Sequence, residues 1–238
     1  MNIAMWSGPR NLSTAMMYSF GARADCAIWD EPYYAAYLAA TGIDHPMASE
    51  IIARYETDPA RIAAACAQPA PGGEPHYYQK HMPHHMEPQF ELPWLDTAVH
   101  VFLIRHPARV LASYHAKRQN PVLSDIGVAA QSLLFDRIAA ETGRAPVVVD
   151  SGDVRADPQS VLSRLCARIG LPFDPAMLSW PAGGNAADGI WGRHWYGAIH
   201  RSTGFAGPEG ALPKVPPALH HVLEAALPPY ERLRALAI

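Results

Sequence analysis

Short apolar runs that stop abruptly, each followed by a stretch with helical spacing, organise this chain. Asn2 to Trp6 is the first run, and Ser7-Gly8-Pro9 cuts it off. Glycine takes backbone angles closed to other residues and proline ends a strand, so a tight loop is expected there. From Ser13, the positions Ala15, Met16, Met17 and Phe20 fit a helix with one apolar face. Cys26-Ala27-Ile28-Trp29 reads as a second strand ending at Asp30-Glu31-Pro32. Ala98 to Ile104 is again short, apolar and rich in β-branched and aromatic residues. Arg105 follows its carboxyl end, and Pro107 suits the first turn of a helix that Val110-Leu111-Ala112 continue. Pro69-Ala70-Pro71-Gly72-Gly73 is a loop, and Pro208, Pro213, Pro216 and Pro217 mark an irregular tail before a last helix from Pro229 to Ala237. Strands alternating with helices predict an α/β chain: three layers, with a mostly parallel sheet flanked by helices.

Chemistry concentrates where the first two well-defined strands end. A loop feeding a helix N-terminus aims free N–H groups and the positive end of the dipole at one spot, which suits a phosphate. Arg10 adds a cation there, and Ser7, Asn11, Ser13 and Thr14 add polar groups. The same segment also reads as an ordinary helix start with a Ser/Thr cap. It is not a Walker A loop, because the frame starting at Gly8 needs glycine and then lysine where the chain has Ser13 and Thr14. In the other unit Ser113 lies eight residues after Arg105, about two helical turns, so both face one side. Arginine with a hydroxyl is a sensible clamp for a single phosphate. A surface arginine and an unrelated helical serine is the plain alternative.

Length and composition narrow the class. The chain has 238 residues, enough for one large α/β domain, and no linker or repeat divides it, so residues 1–238 are expected to be a single domain. A net charge of −3 gives no hint of nucleic acid. Cys26, Cys66 and Cys166 are few and scattered, as buried thiols in a reducing compartment would be. The N-terminal stretch has no cationic region, and no run approaches about 18 apolar residues, so neither a signal peptide nor a membrane span is expected. These features point to a cytoplasmic protein of unassigned oligomeric state.

Together, Pro9-Arg10-Asn11-Leu12-Ser13-Thr14 and Arg105 with Ser113 resemble the sulfotransferases that use 3′-phosphoadenosine 5′-phosphosulfate (PAPS). The resemblance runs through Val147-Val148-Val149-Asp150, Asp157-Pro158 and Ile169-Gly170-Leu171-Pro172-Phe173 to the late Gly/Trp loop Asp188–Tyr196. It implies a P-loop NTPase-like fold, PAPS as donor and a small-molecule or glycan hydroxyl as acceptor. By the same resemblance Ser7, Asn11, Ser13 and Thr14 hold the 5′ end, Arg10 steadies the leaving phosphate, and Arg105 and Ser113 hold the 3′-phosphate. Leu12 stands where the family commonly has glycine, Ala15 where many members stack adenine, and Arg193 or Arg201 would replace a missing Arg-Lys-Gly triplet.

Two residues compete for the role of base. Glu31, 21 residues after Arg10, resembles the glutamate that serves glycan-modifying members, and also fits a strand-end acid capping a helix. His81, next to Lys80, resembles the Lys and His of cytosolic members, though the spacing is one residue short. Neutral histidine is a good base near pH 7, and Lys80 would bridge donor and acceptor. The histidines 76, 81, 84 and 85 lack nearby cysteine, so no metal is expected. Trp29, Tyr33, Tyr34 and Tyr37 suit an acceptor pocket or, at that spacing, a core stripe. The rival functions are a kinase or NTPase on the same fold and a nucleotide-binding module without turnover.

Overall fold

Each apolar run forms a strand, and the strands lie side by side in parallel. The structure, a computed structural model, describes residues 1–115 and 121–238. The strands are β1 (Asn2–Ser7), β2 (Cys26–Asp30), β3 (His76–His81), β4 (Ala98–Ile104) and β5 (Val147–Asp150), in the order β2-β3-β1-β4-β5. β1 is central, with Trp6 opposite both His81 and Phe102. Parallel strands need crossovers. The first is α1 (Ser13–Gly21); α2 (Tyr34–Thr41), α3 (Ala48–Arg54) and α4 (Pro59–Cys66) follow β2. After β4 come α5 (Pro107–His115), α6 (Leu123–Ile126) and α7 (Val128–Thr142); after β5 come α8 (Ser151–Ala156) and α9 (Pro158–Ile169). The short α10 (Gly192–Trp195) and the long α11 (His220–Arg234) complete the chain.

Both faces of the sheet are covered, which is why β1, β4 and β5 are apolar over most of their length, while β3 buries polar side chains. Ile3, Met5, Val101 and Leu103 pack with α1 and α9, while Ala4, Trp6 and Phe102 pack with α4, α7 and α11. This is the expected three-layer α/β architecture. Cys26, Cys66 and Cys166 are buried free thiols. Among the described residues no helix is long and apolar enough to cross a membrane.

The last helix departs from expectation. It starts at His220, carries Pro228 and Pro229 inside, and ends at Arg234 rather than Ala237. Interior proline costs a helix about 3 kcal/mol. The helix continues because Val222, Ala226, Tyr230 and Leu233 form a buried stripe and Tyr230 donates to Asp150 at 2.9 Å. Ala237 instead bridges to Val148 beside β5.

Two neutral imidazoles, His81 and His100, lie beside Trp6 and Trp94 within the layer behind β1 and β3. His100 donates from Nε2 to the Leu95 carbonyl at 2.6 Å and accepts from Trp6 on Nδ1 at 2.9 Å, an arrangement only the neutral ring can make. Burial pushes His100 down to about 4, and burial with the field of His100 pushes His81 down to about 3. Burial also holds His85 well below its ordinary 6.5. The unfolded chain therefore binds protons that the fold refuses. This stabilisation is complete above pH 6.5 and is lost as pH falls from 6.5 towards 4, by up to about 1.4 kcal/mol per pH unit for each histidine. Urea midpoints should fall steeply across that window, and a flat profile would contradict neutral burial.

Candidate active site

The carboxyl ends of the strands, where ligands gather in open α/β sheets, carry two polar clusters. The first joins the β1–α1 loop to the β4–α5 junction. Arg10 and Leu12 both lie in the left-handed region, with φ of 64° and 75°. Such angles cost a side-chain-bearing residue roughly 1–3 kcal/mol and persist only when the surroundings impose them. Gly8, by contrast, has no positive φ. A Cβ there would meet the Ile126 carbonyl at 2.8 Å, so glycine serves close packing and not an unusual angle.

Buried amides hold this loop. Asn11 donates to the Leu103 carbonyl at 3.2 Å and to Gln131 at 3.4 Å. Gln131 donates to the carbonyls of Leu103 at 2.9 Å and Trp6 at 3.3 Å. Asn11 is thus turned inward as a brace, and Ser7, fully buried, donates to the Gly8 carbonyl at 2.9 Å. Above them, Ser13 and Thr14 open α1, whose N-cap Leu12 offers no side-chain cap. The leading N–H groups of the helix are left to water or an anion.

The two loops are cross-braced. Arg105 donates to the Arg10 carbonyl at 2.6 Å, and Arg10 donates through Nε to the Ser113 hydroxyl at 3.1 Å. Arg105 and Ser113 therefore do lie on one side, both against Arg10. Burial, and then the like charge of Arg105, lower the Arg10 guanidinium. Two cations held this close call for an anion.

The second cluster sits at the ends of β2 and β3. Lys80, 1% exposed, places Nζ 2.9 Å from Asp30, 2.6 Å from Glu31 and 2.5 Å from the Tyr196 hydroxyl. Its three donors are all engaged, so it positions Glu31 and has none left to bridge donor and acceptor. Burial by itself lowers this ammonium; the fields of Asp30 and Glu31 and their hydrogen bonds override it and keep it charged. Burial raises Asp30, which Gly189 N–H also meets at 3.1 Å. Glu31 sits at a φ of 45°, and its Oε1 accepts from Lys80 at 2.6 Å, with the Tyr196 hydroxyl, whose single proton is directed to Asp30, 3.3 Å away.

His81 is not in this cluster. Neighbours on a strand face opposite ways, so His81 points into the layer behind, stacked on Trp6 at 4.6 Å and Trp94 at 5.0 Å. Buried, and held neutral far below pH 7, it has neither the access nor the basicity of a catalytic base. Arg193 also departs from expectation. It is exposed on α10, the helix that delivers Tyr196 to Lys80, and among the described residues its side chain makes no hydrogen bond or ion pair that would fix it against a phosphate.

Side chains that the sequence named without a catalytic role, from the late Gly/Trp loop, the Tyr34/Tyr37 stripe and the histidine run, pack around this cluster. Tyr196 ties α10 to Asp30 at 2.9 Å and is met by Trp191 Nε1 at 3.1 Å. His85 is sandwiched by Tyr34 and Tyr37, each at 4.8 Å, and Tyr34 meets Trp191 edge-on at 5.2 Å. His84 lies beside Gly127, which packs against Gly8 and Pro9, and within the field of Glu31.

Comparison with known proteins gives one family. The sulfotransferase-domain pattern matches residues 1–237. Two curated proteins from Arabidopsis thaliana are similar: branched-chain-amino-acid aminotransferase-like protein 1, 34% identical over 236 residues, and protein 2, 33% identical over 233. Each alignment takes in 98% of this chain and 41% of the relative, so the chain spans about two fifths of their length. Among solved structures, the sulfotransferase domain from the curacin biosynthetic pathway aligns with a TM-score of 0.55 at 14% identity, covering 94% of this chain and 96% of that one. A sulfotransferase from Alicyclobacillus acidocaldarius aligns with a TM-score of 0.55 at 12% identity, covering 99% and 94%. At such identities the likeness is one of fold, the P-loop-like sulfotransferase fold.

Proposed function

The chain belongs to the sulfotransferase-domain family, and from that premise we propose that it moves a sulfuryl group from PAPS to a hydroxyl of a small-molecule or glycan acceptor. The reading takes residues 1–238 as one such domain, since strands from both halves of the chain pair in one sheet. The observation that carries it is the meeting of Arg10, Arg105 and Ser113 at the ends of β1 and β4. An anion fits there: the carboxylate of Glu209 already rests on Arg105. The donor supplies a sulfuryl group carried on a phosphate.

This chain's residues divide the remaining work. Arg10 and the first-turn N–H groups beside Ser13 and Thr14 offer fixed positive charge to a phosphate. Arg105 and Ser113 take a second phosphate, which is what distinguishes a 3′,5′-bisphosphate from ATP. Glu31 receives the acceptor's proton on Oε2, while Lys80 holds Oε1 and fixes the carboxylate. Tyr34 and Tyr37 wall the acceptor side. The buried free thiols support a reducing, cytoplasmic setting.

Calorimetric titration tests the reading. Wild type should bind 3′,5′-adenosine bisphosphate in preference to 5′-AMP and ATP–magnesium. Arg105→Ala should weaken the bisphosphate by about 10- to 100-fold, the worth of a charged hydrogen bond, and weaken 5′-AMP, which lacks the second phosphate, by far less. Preference for ATP–magnesium would overturn it in favour of a kinase.

A further inference from the structure

The anion on Arg105 is part of the chain itself. Glu209 meets three guanidinium groups: Arg105 and Arg155 on Oε1, the latter at 2.7 Å, and Arg109 with Nε 3.0 Å from Oε2. These arginines come from the β4 tip, from α5 and from α8, so three separate elements converge on one point. Three cations against one carboxylate leave a surplus of two positive charges (3 − 1). Arg10, bonded to Arg105 through its carbonyl, adds to it.

The carboxylate fills this place incompletely. Among the described residues, Arg105 Nε is buried without a hydrogen-bond partner, and Glu209 Oε2 has none despite its proximity to Arg109. A carboxylate has two oxygens to offer three forks, whereas a phosphate monoester has three oxygens and up to two charges.

The stretch that carries Glu209 lies outside the core. Residues 205–216 form neither helix nor strand, and from 206 to 212 every residue except Glu209 is exposed. The Glu209 side chain is only 5% exposed. Gly207 and Gly210 bracket it, and a Cβ at either would meet nothing within 4 Å. No packing demands glycine there, so what these residues provide is backbone freedom. Phe205, edge-on to Trp180 at 5.2 Å, and Val215 anchor the two ends of the stretch; between them the contacts run through the same arginines: Arg155 donates to the Gly207 carbonyl at 3.0 Å and Arg109 to the Glu209 carbonyl at 3.2 Å. Burial alone would raise the Glu209 carboxyl; the hydrogen bond from Arg105 and the fields of all three arginines override it and keep it ionised.

We propose that Arg105, Arg109 and Arg155 form a phosphate cradle and that Glu209 is its built-in competitor, seated when no phosphate is present and swung out on its strap when one arrives. Under the function proposed above, on which the ligand's identity rests, the phosphate is the 3′-phosphate of the donor. Arg109 and Arg155 then join Arg105 as its ligands, and the strap sets a threshold for donor binding.

Glu209→Gln keeps the shape and removes the charge. It should bind 3′,5′-adenosine bisphosphate about tenfold more tightly than wild type, the order of one charged contact, with 5′-AMP unchanged. Adding Arg155→Ala should reverse the gain. Equal or weaker bisphosphate binding by Glu209→Gln would overturn the competitor. If neither protein binds either nucleotide, the donor reading fails, and inorganic phosphate decides the cradle alone. Tighter phosphate binding by Glu209→Gln, lost with Arg155→Ala, upholds the cradle; no phosphate binding overturns it. Should the variant fail to fold, limited proteolysis of wild type with a glutamate-specific protease decides. Saturating phosphate should speed cleavage after Glu209, whose side chain is seated and only 5% exposed, several-fold, and unchanged cleavage there would refute the swing.

Discussion

Replacing Lys80 with methionine should lower the melting temperature by about 10 °C at neutral pH. Removing one partner of a buried ion pair costs about 3–5 kcal/mol, because the other charge stays buried, and each kcal/mol moves a chain of this size by about 2–4 °C. Here two carboxylates would be stranded. Asp30 and Glu31 are adjacent in sequence, and the Asp30 side chain is only 1% exposed. The pH dependence identifies the cause. Asp30 is already raised by burial and by Glu31, and loss of Lys80 raises it further. A raised carboxyl favours the fold at low pH and disfavours it as pH rises through the shifted value. The gap between variant and wild type should therefore narrow as pH falls, even while the buried histidines make both proteins less stable. Asp30→Asn in the Lys80→Met background should restore part of the loss. A variant as stable as wild type would mean the cluster is not ionic.

That cluster also marks the boundary of what the sequence discloses. Strand, breaker and helix are local signals, so β1, β4 and the two arginines at their ends were legible from residues within ten positions. The contacts that turn these residues into a site are not local. Tyr196 reaches Lys80 across 116 positions, Gln131 reaches Trp6 across 125, and Glu209 reaches Arg105 across 104. No periodicity encodes such meetings; packing decides them. His81 is a different matter. Its distance from the site follows from strand alternation, because a residue next to Lys80 must face the other layer. The family likeness of the Lys-His pair hid a rule that the β3 sequence already contained. The last helix was hidden by its own prolines, whose local cost is outweighed by a buried stripe and the bond from Tyr230 to Asp150.

Arg10→Gly should make the protein more stable and much less active. Arg10 holds a φ of 64°, which glycine adopts freely, so the exchange relieves backbone strain worth about 1 kcal/mol or more. It also removes a guanidinium crowded by burial and by Arg105. Against these gains stands one lost hydrogen bond, from Nε to Ser113 at 3.1 Å, worth about 1 kcal/mol net. The melting temperature should hold or rise by a few degrees. Under the proposed function the same exchange removes the cation beside the first turn of α1, and losing one preorganised charge of this kind costs about 10²–10³ in kcat. Arg10→Lys should keep the point charge and most of the rate while losing the tie to Ser113. A strained, self-repelling cation kept at a helix start makes sense where an anion is to be received, because the penalty in the free protein is relieved on binding. Destabilisation by Arg10→Gly, measured by thermal melting, would make Arg10 a structural brace and remove the reason for placing the leaving phosphate beside it.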